Sequence, residues 1–357
     1  MAQFVKHKYA GQAIHIQMNR TKVHLGPMRS YHYISDHFKF ALTQVFDVLK
    51  FDTAVVLEDD MLVAPDFFQY FAGLAPLLHS DQTLLCVSAW NDNGMRGLVA
   101  EDNVTASKEL RRTSVFPVSK CCAKKKKSRK CSKVLQGLGW MLTRTLWDQE
   151  LRDKWPAAYW DDWLREPAQT RGRDCIFPTV SRSKTIGEIG SSVGQFYNTY
   201  LSRIVLNKIP VEWSKESFAR LDRQKYKAEL LAQVERARTV ERRNLEREVQ
   251  HSTSGSLRVF WKTAKQYAQI ADTMGMMNDL KAGLPRSSFE GIVRVLTPKG
   301  LHLYVVPDPS VLSKLKKKKV SIEEETTTTA STIVPVTAEA EDVEEEEGEE
   351  EEEKKET

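Results

Sequence analysis

No apolar run in these 357 residues approaches the ~20 that span a bilayer; the longest, such as Ala54 to Leu57 and Leu84 to Val87, stop after four. No basic, apolar, small-residue series opens the chain, which therefore reads as soluble and without a secretion signal. Cysteine is scarce. Five residues (Cys86, Cys121, Cys122, Cys131, Cys175) are too few for a disulfide scaffold, and the odd count leaves at least one unpaired within the chain. Proline is also sparse at 13, and with 41% apolar residues the composition excludes a disordered chain or a mini-protein and allows one large core or two domains. Charge is plentiful but divided. Residues 321–357 carry 16 acids against Lys354 and Lys355, which leaves about +19 on the other 320 residues. A positive body suits an anionic substrate and nucleic acid equally.

Residues 1–30 are weakly patterned, with Ala13 to Gln17 as a short strand, so the chain reads as a late start. Phe38, Ala41, Leu42, Val45, Phe46 and Leu49 recur at helical spacing, and Ala54 to Leu57 then reads as a buried central strand. Pro65 fits the first turn of the next helix, whose inner face is Phe67, Phe71, Leu74 and Leu78. Leu84 to Val87 returns as a strand, giving an alternating α/β pattern. Residues 118–136 interrupt it with eight Lys or Arg and three Cys in nineteen residues, as an exposed inserted loop. Regular structure resumes at Leu138 and runs to about Val205, residues 218–250 are charged and helix-prone, and Gly291 to Val306 reads as a hairpin around Pro298-Lys299-Gly300. Beyond Pro309 a lysine block, a threonine run and a Glu-rich tail cannot bury enough apolar surface to fold.

Two constellations carry chemistry. Glu58-Asp59-Asp60 directly follows an apolar strand, at the edge where open α/β sheets bind ligands. A divalent cation with a diphosphate would compensate the three acids; an acidic turn before a helix is the plainer reading. Trp160-Asp161-Asp162-Trp163, preceded by Trp155-Pro156, offers aromatic faces for a sugar and an aspartate for general-base work. Its plainer reading is a capped helix start with two core tryptophans.

VVLEDDMLVAPDFFQYF (55–71), VSAWNDNG (87–94), GLGWML (137–142), KWPAAYWDDWLREP (154–167), GRDCIFPTVSRSKTIG (172–187) and MGMMNDLKAGLPRSSFEGIV (274–293) closely resemble the N-acetylglucosaminyltransferase I family. The resemblance covers about residues 30–309 in consistent order. It implies a GT-A type nucleotide-sugar (Rossmann-like) mixed sheet over 31–208 with the 118–136 loop inserted. A smaller C-terminal α+β domain over 209–309 and a disordered tail over 310–357 follow, after an N-terminal remnant at 1–30. The implied reaction is inverting transfer of N-acetylglucosamine from UDP-N-acetylglucosamine to O2 of the terminal α1,3-linked mannose of a five-mannose N-glycan, with Mn2+. The resemblance makes Asp60 the metal ligand, Asp161 the catalytic base, and Glu58, Asp59, His37, Leu138 and Trp160 donor contacts. It makes Cys86 and Cys175 a disulfide, which belongs to an oxidising lumen. A lone histidine near a helix is more often structural, and two buried free thiols are the alternative to the bridge.

The resemblance also implies a Golgi membrane protein held by an N-terminal anchor absent from this chain, an N-terminally truncated form with an uncovered sheet edge and weak UDP binding. Ile189 to Val193 departs from the family's donor-closing loop, and Asn19-Arg20-Thr21 and Asn103-Val104-Thr105 fit the N-glycosylation pattern. The cysteine spacing of the insert makes no zinc site. A protein O-linked-mannose β-1,2-N-acetylglucosaminyltransferase is the nearest rival, disfavoured by Asp162. An inactive relic that binds nucleic acid or acidic partners is the other. No aromatic residue interleaves with the lysine runs, so no nucleic-acid partner is expected.

Overall fold

In the computed structural model the described residues are 11–19, 23, 24, 26, 29–114, 138–188, 194, 196–281, 283–311 and 313. The insert at 118–136, the segment 189–193 and residues 314–357 lie outside them. The described residues belong to one compact unit.

Among the described residues, seven strands come from the first two thirds of the chain: β1 (Thr53–Val56), β2 (Met61–Val63), β3 (Leu84–Ser88), β4 (Leu110–Ser114), β5 (Trp140–Thr143), β6 (Asp174–Pro178) and β7 (Ser183–Thr185). Five form a mixed sheet in the order β1-β5-β3-β6-β4, in which only β3 and β6 are parallel neighbours; β2 and β7 pair separately. Side chains of β5 alternate across this sheet as a strand's must. Met141 points into a core with Phe67, Tyr70, Phe71, Leu74 and Leu78 of the helix Phe67–Ser80. Trp140 and Leu142 point into the opposite core, with Leu42 and Phe46 and with Trp147, Trp155 and Trp160. Helical layers on both faces make this an α/β fold. Each fully buried Leu or Phe on those faces contributes about 1.5–3 kcal/mol.

Cys86 and Cys175 are register partners on β3 and β6, and a disulfide joins them with Cα atoms 4.7 Å apart. A second sheet follows, from β8 (Arg238–Thr239), β9 (Ser256–Trp261), β12 (Val293–Leu296) and β13 (His302–Pro307), while β10 (Leu280–Lys281) and β11 (Leu284–Pro285) form a small pair. The expected hairpin is β12–β13, from Val293↔Val305 to Leu296↔His302. The charged segment forms the helices Arg223–Arg236 and Leu245–His251, and Asp222 caps the first through the Gln224 and Lys225 amides.

Three expectations need correction. Ala13 to Gln17 form no strand, and Ile14 and Ile16 are exposed because no sheet edge meets them. The helix after Pro65 starts at Phe67, so Pro65 sits in the preceding turn. β1 is an edge strand: it pairs only with β5 among the described residues, and Val55 and Leu57 are 38% and 41% exposed. Four apolar residues there cover one face and one edge, not both.

Candidate functional site at the carboxyl end of the mixed sheet

β1, β3 and β6 run the same way, so their carboxyl ends gather at one end of the sheet, where ligands bind in open α/β folds. The β1–β5 ladder stops at Val56↔Trp140, so Leu57-Glu58 and Gly139-Leu138 leave the sheet side by side. Ser88 also pairs with Trp140, which brings Ala89-Trp90-Asn91-Asp92 out at the same end. Gly139 sits at φ +94°, and a Cβ there would lie 3.3 Å from both the Ala89 Cβ and the Ser183 Oγ. Its carbonyl accepts from the Ala89 amide at 2.8 Å, and the Leu138 carbonyl accepts from the Ser183 hydroxyl. The Leu138 turn is thereby tied to β7.

β7 is also what fixes Asp60. The Ile186 amide donates to the Asp60 carbonyl at 2.8 Å, and the Thr185 hydroxyl donates to Asp60 Oδ2 at 3.2 Å. The Gly187 amide in turn donates to that hydroxyl oxygen at 3.1 Å. Asp60 Oδ1 is buried with no hydrogen-bond partner, an arrangement that costs about 1–3 kcal/mol unless a cation or donor compensates it. Among the described residues no group of three or more His, Cys, Asp or Glu could hold a metal. The donor set here is instead one oriented carboxylate oxygen. That fits a hard divalent cation such as Mn2+ completing its shell with diphosphate and water oxygens. Glu58 and Asp59 are exposed beside it.

Asp161 is reached through an aromatic stack. Trp140 stacks on Trp160 at 5.9 Å, Trp160 on Trp155 at 5.7 Å, and Phe38 meets Trp160 at 4.2 Å. This bolts the short helix Trp160–Leu164 against the helix Arg29–Thr43, where exposed His37 adjoins Phe38. The structure therefore brings the WDDW segment and the His37 turn to one block, anchored on the strand residue beside Leu138. Trp160 is only 4% exposed, so its indole is core. The expectation that these tryptophans form a sugar platform fails for Trp155 and Trp160, because at 8% and 4% exposure both indoles are buried in the core and present no face to a ligand.

Arg165, one turn beyond Asp161, was not singled out from sequence, although i,i+4 spacing on a helix was the available signal. Its NH1 donates to Asp162 Oδ1 at 2.7 Å, and its NH2 lies 3.5 Å from Asp161 Oδ2, with the side chain 6% exposed. Asp162 thus helps hold the guanidinium that faces Asp161. Asp92 is fully buried and accepts from Trp90 Nε1 at 3.1 Å, while its Oδ2 has no hydrogen-bond partner. Burial pushes this carboxyl up to about 6, against the pull of Arg286 and Arg165.

A family model described as the GNT-I family matches residues 3–318. The chain belongs to the GNT-I family. An Arabidopsis thaliana protein named alpha-1,3-mannosyl-glycoprotein 2-beta-N-acetylglucosaminyltransferase is 37% identical over 285 residues, 79% of this chain and 58% of that protein. This GNT-I family chain thus spans a little over half the length of that relative.

Proposed function

We propose that the chain is the catalytic part of an inverting β-1,2-N-acetylglucosaminyltransferase with a GT-A type donor site. The donor is UDP-N-acetylglucosamine, and the acceptor is O2 of the terminal α1,3-linked mannose of a five-mannose N-glycan. The observation that carries this reading is an oriented carboxylate with an unpartnered oxygen just after β1, together with an aspartate next to Trp160, which stacks on Trp140, the β5 residue paired with the end of β1. Family membership and the name of the Arabidopsis relative support it.

Asp161 removes the proton from the mannose hydroxyl as its oxygen bonds to C1 of the donor sugar. The bond from C1 to the diphosphate oxygen breaks on the opposite side, which inverts the centre. Arg165, whose NH2 lies 3.5 Å from Asp161 Oδ2, keeps Asp161 oriented. Asp60, held by Thr185, would ligate Mn2+, which when bound neutralises charge on the departing diphosphate. Glu58, Asp59, His37, Leu138 and the Trp160 backbone border the donor. The Cys86–Cys175 disulfide favours an oxidising compartment, in line with the Golgi lumen. Among the described residues no helix is long and apolar enough to cross a membrane, so anchorage there is proposed from family membership.

The test is transfer of radiolabelled N-acetylglucosamine to a five-mannose N-glycan, with manganese and with chelator, for the chain and for Asp161→Asn. The expected result is manganese-dependent transfer that Asp161→Asn abolishes. Silence from this chain and from a form extended upstream with residues 118–136 removed would refute the activity.

A further inference from the structure

With Trp155 and Trp160 consumed by the core, the aromatic surface beside the acids of this segment belongs to two tyrosines. Tyr31 and Tyr159 stack with ring centroids 4.5 Å apart and planes 29° apart, and both are half-buried. We propose that this pair is the stacking floor of an acceptor subsite that receives the apolar face of a mannose ring next to Asp161. The proposal rests on the reading of Asp161 as the acceptor-side base.

Tyr159 is held where a bulky residue is rarely found, at φ 54° and ψ 44°. Left-handed backbone is strained for a side chain of this size. Capping does not repay the cost: Tyr159 precedes the helix Trp160–Leu164 and makes no side-chain cap bond. What the conformation achieves is placement. It turns the phenol out of the core stack while Trp160 turns in, so adjacent residues serve opposite sides.

The platform is rigid because its halves are stitched together. His32 Nδ1 bonds with the Ala157 carbonyl at 2.9 Å, Ser35 Oγ donates to the Pro156 carbonyl at 2.6 Å, and Trp155 Nε1 donates to the Ser35 carbonyl at 3.1 Å. These bonds fix the helix carrying Tyr31 to the segment carrying Tyr159. The Tyr159 phenol also sits in the field of the acids: burial, Tyr31, Asp162 and Asp161 together raise its pKa. A ring face beside two carboxylate acceptors matches the amphipathic surface of a mannose, with C–H groups on one face and hydroxyls at the rim.

A uracil base also stacks on aromatic rings, so the experiment separates the two ligands. Binding of a free five-mannose N-glycan to the full chain is followed by saturation-transfer NMR, and binding of UDP with manganese by calorimetry, for wild type, Tyr31→Ala, Tyr31→Phe and Tyr159→Gly. Glycine keeps the positive φ while deleting the ring. Thermal unfolding confirms that each variant is folded. The expected result is about tenfold weaker glycan binding for Tyr31→Ala and Tyr159→Gly, near-normal binding for Tyr31→Phe, and unchanged UDP binding. Unchanged glycan binding in the folded Ala and Gly variants, weakened UDP binding, or no glycan binding by wild type overturns the proposal. Failure of the base assignment alone looks different: Asp161→Asn retains transfer while Tyr31→Ala still weakens the glycan.

Discussion

Gly187→Ala isolates the role of Asp60 without touching it. A Cβ at Gly187 would stand 2.0 Å from Asp60 Oδ2 and 3.0 Å from its Cγ. No carbon tolerates an oxygen that close, so the carboxylate must retreat by about 1 Å or rotate off its rotamer, at about 0.5–1.5 kcal/mol. Either movement breaks the 3.2 Å bond from Thr185 and re-aims the unpartnered Oδ1. Loss of an orienting partner typically weakens a metal site 10–100-fold, or about 1.4–2.7 kcal/mol. Stability should barely change, because Gly→Ala restricts the unfolded chain by about 0.4–1 kcal/mol and offsets the local strain. The assay is the manganese concentration for half-maximal transfer, backed by electron paramagnetic resonance of Mn2+ binding in the presence of UDP. We expect both to shift 10–100-fold with the unfolding midpoint within a few degrees of wild type. An unaltered manganese dependence in Gly187→Ala would refute the assignment of Asp60.

Replacing Cys86 and Cys175 together with serine frees a loop whose ends are 89 residues apart, so urea unfolding should show about 4–5 kcal/mol less stability; an unchanged midpoint refutes the estimate. Asp92 tests the sign of a buried carboxyl. Its folded value of about 6 lies above the ordinary 3.8, so its contribution is full below the unfolded value and is lost as pH rises through about 6. Asp92→Asn can keep the bond from Trp90 and escapes this loss, so its melting temperature should gain on wild type between about pH 4 and about pH 7; a constant difference across that range refutes the argument.

What could be read from the sequence was whatever repeats at a fixed period. Phe67, Phe71, Leu74 and Leu78 lie one helical turn apart, and all four are buried on one face. The β12–β13 hairpin was legible because alternation flanks a Pro-Lys-Gly turn. Whether β1 had one neighbour or two was not legible, since four apolar residues look alike at an edge and in the centre. Trp155 and Trp160 misled because an indole serves a core and a sugar equally well, and only packing decides. The close approach of Gly187 to Asp60 depends on β2 pairing with β7, a long-range register that no local pattern encodes. The Cys86–Cys175 bridge came from family resemblance; the adjacency of β3 and β6 supplies its physical reason.

Trp140 joins the two halves of the proposed reaction. Its backbone pairs with Val56 and Ser88, where the strands leading to Glu58 and Asp92 end, and its ring supports Trp160, the residue before Asp161. The indole N–H is buried without a hydrogen-bond partner, which costs about 1–3 kcal/mol. A phenylalanine would avoid that cost, but its smaller face would loosen the stack under Trp160. Donor-side and acceptor-side acids are therefore spaced by core packing, not by loops. Core side chains interdigitate at crystal-like density, so a methylene lost at Trp140 or Trp160 becomes a displacement of Asp161 relative to Asp60. A reaction that needs reacting atoms within about 3–3.5 Å is sensitive to such a displacement well before the fold is.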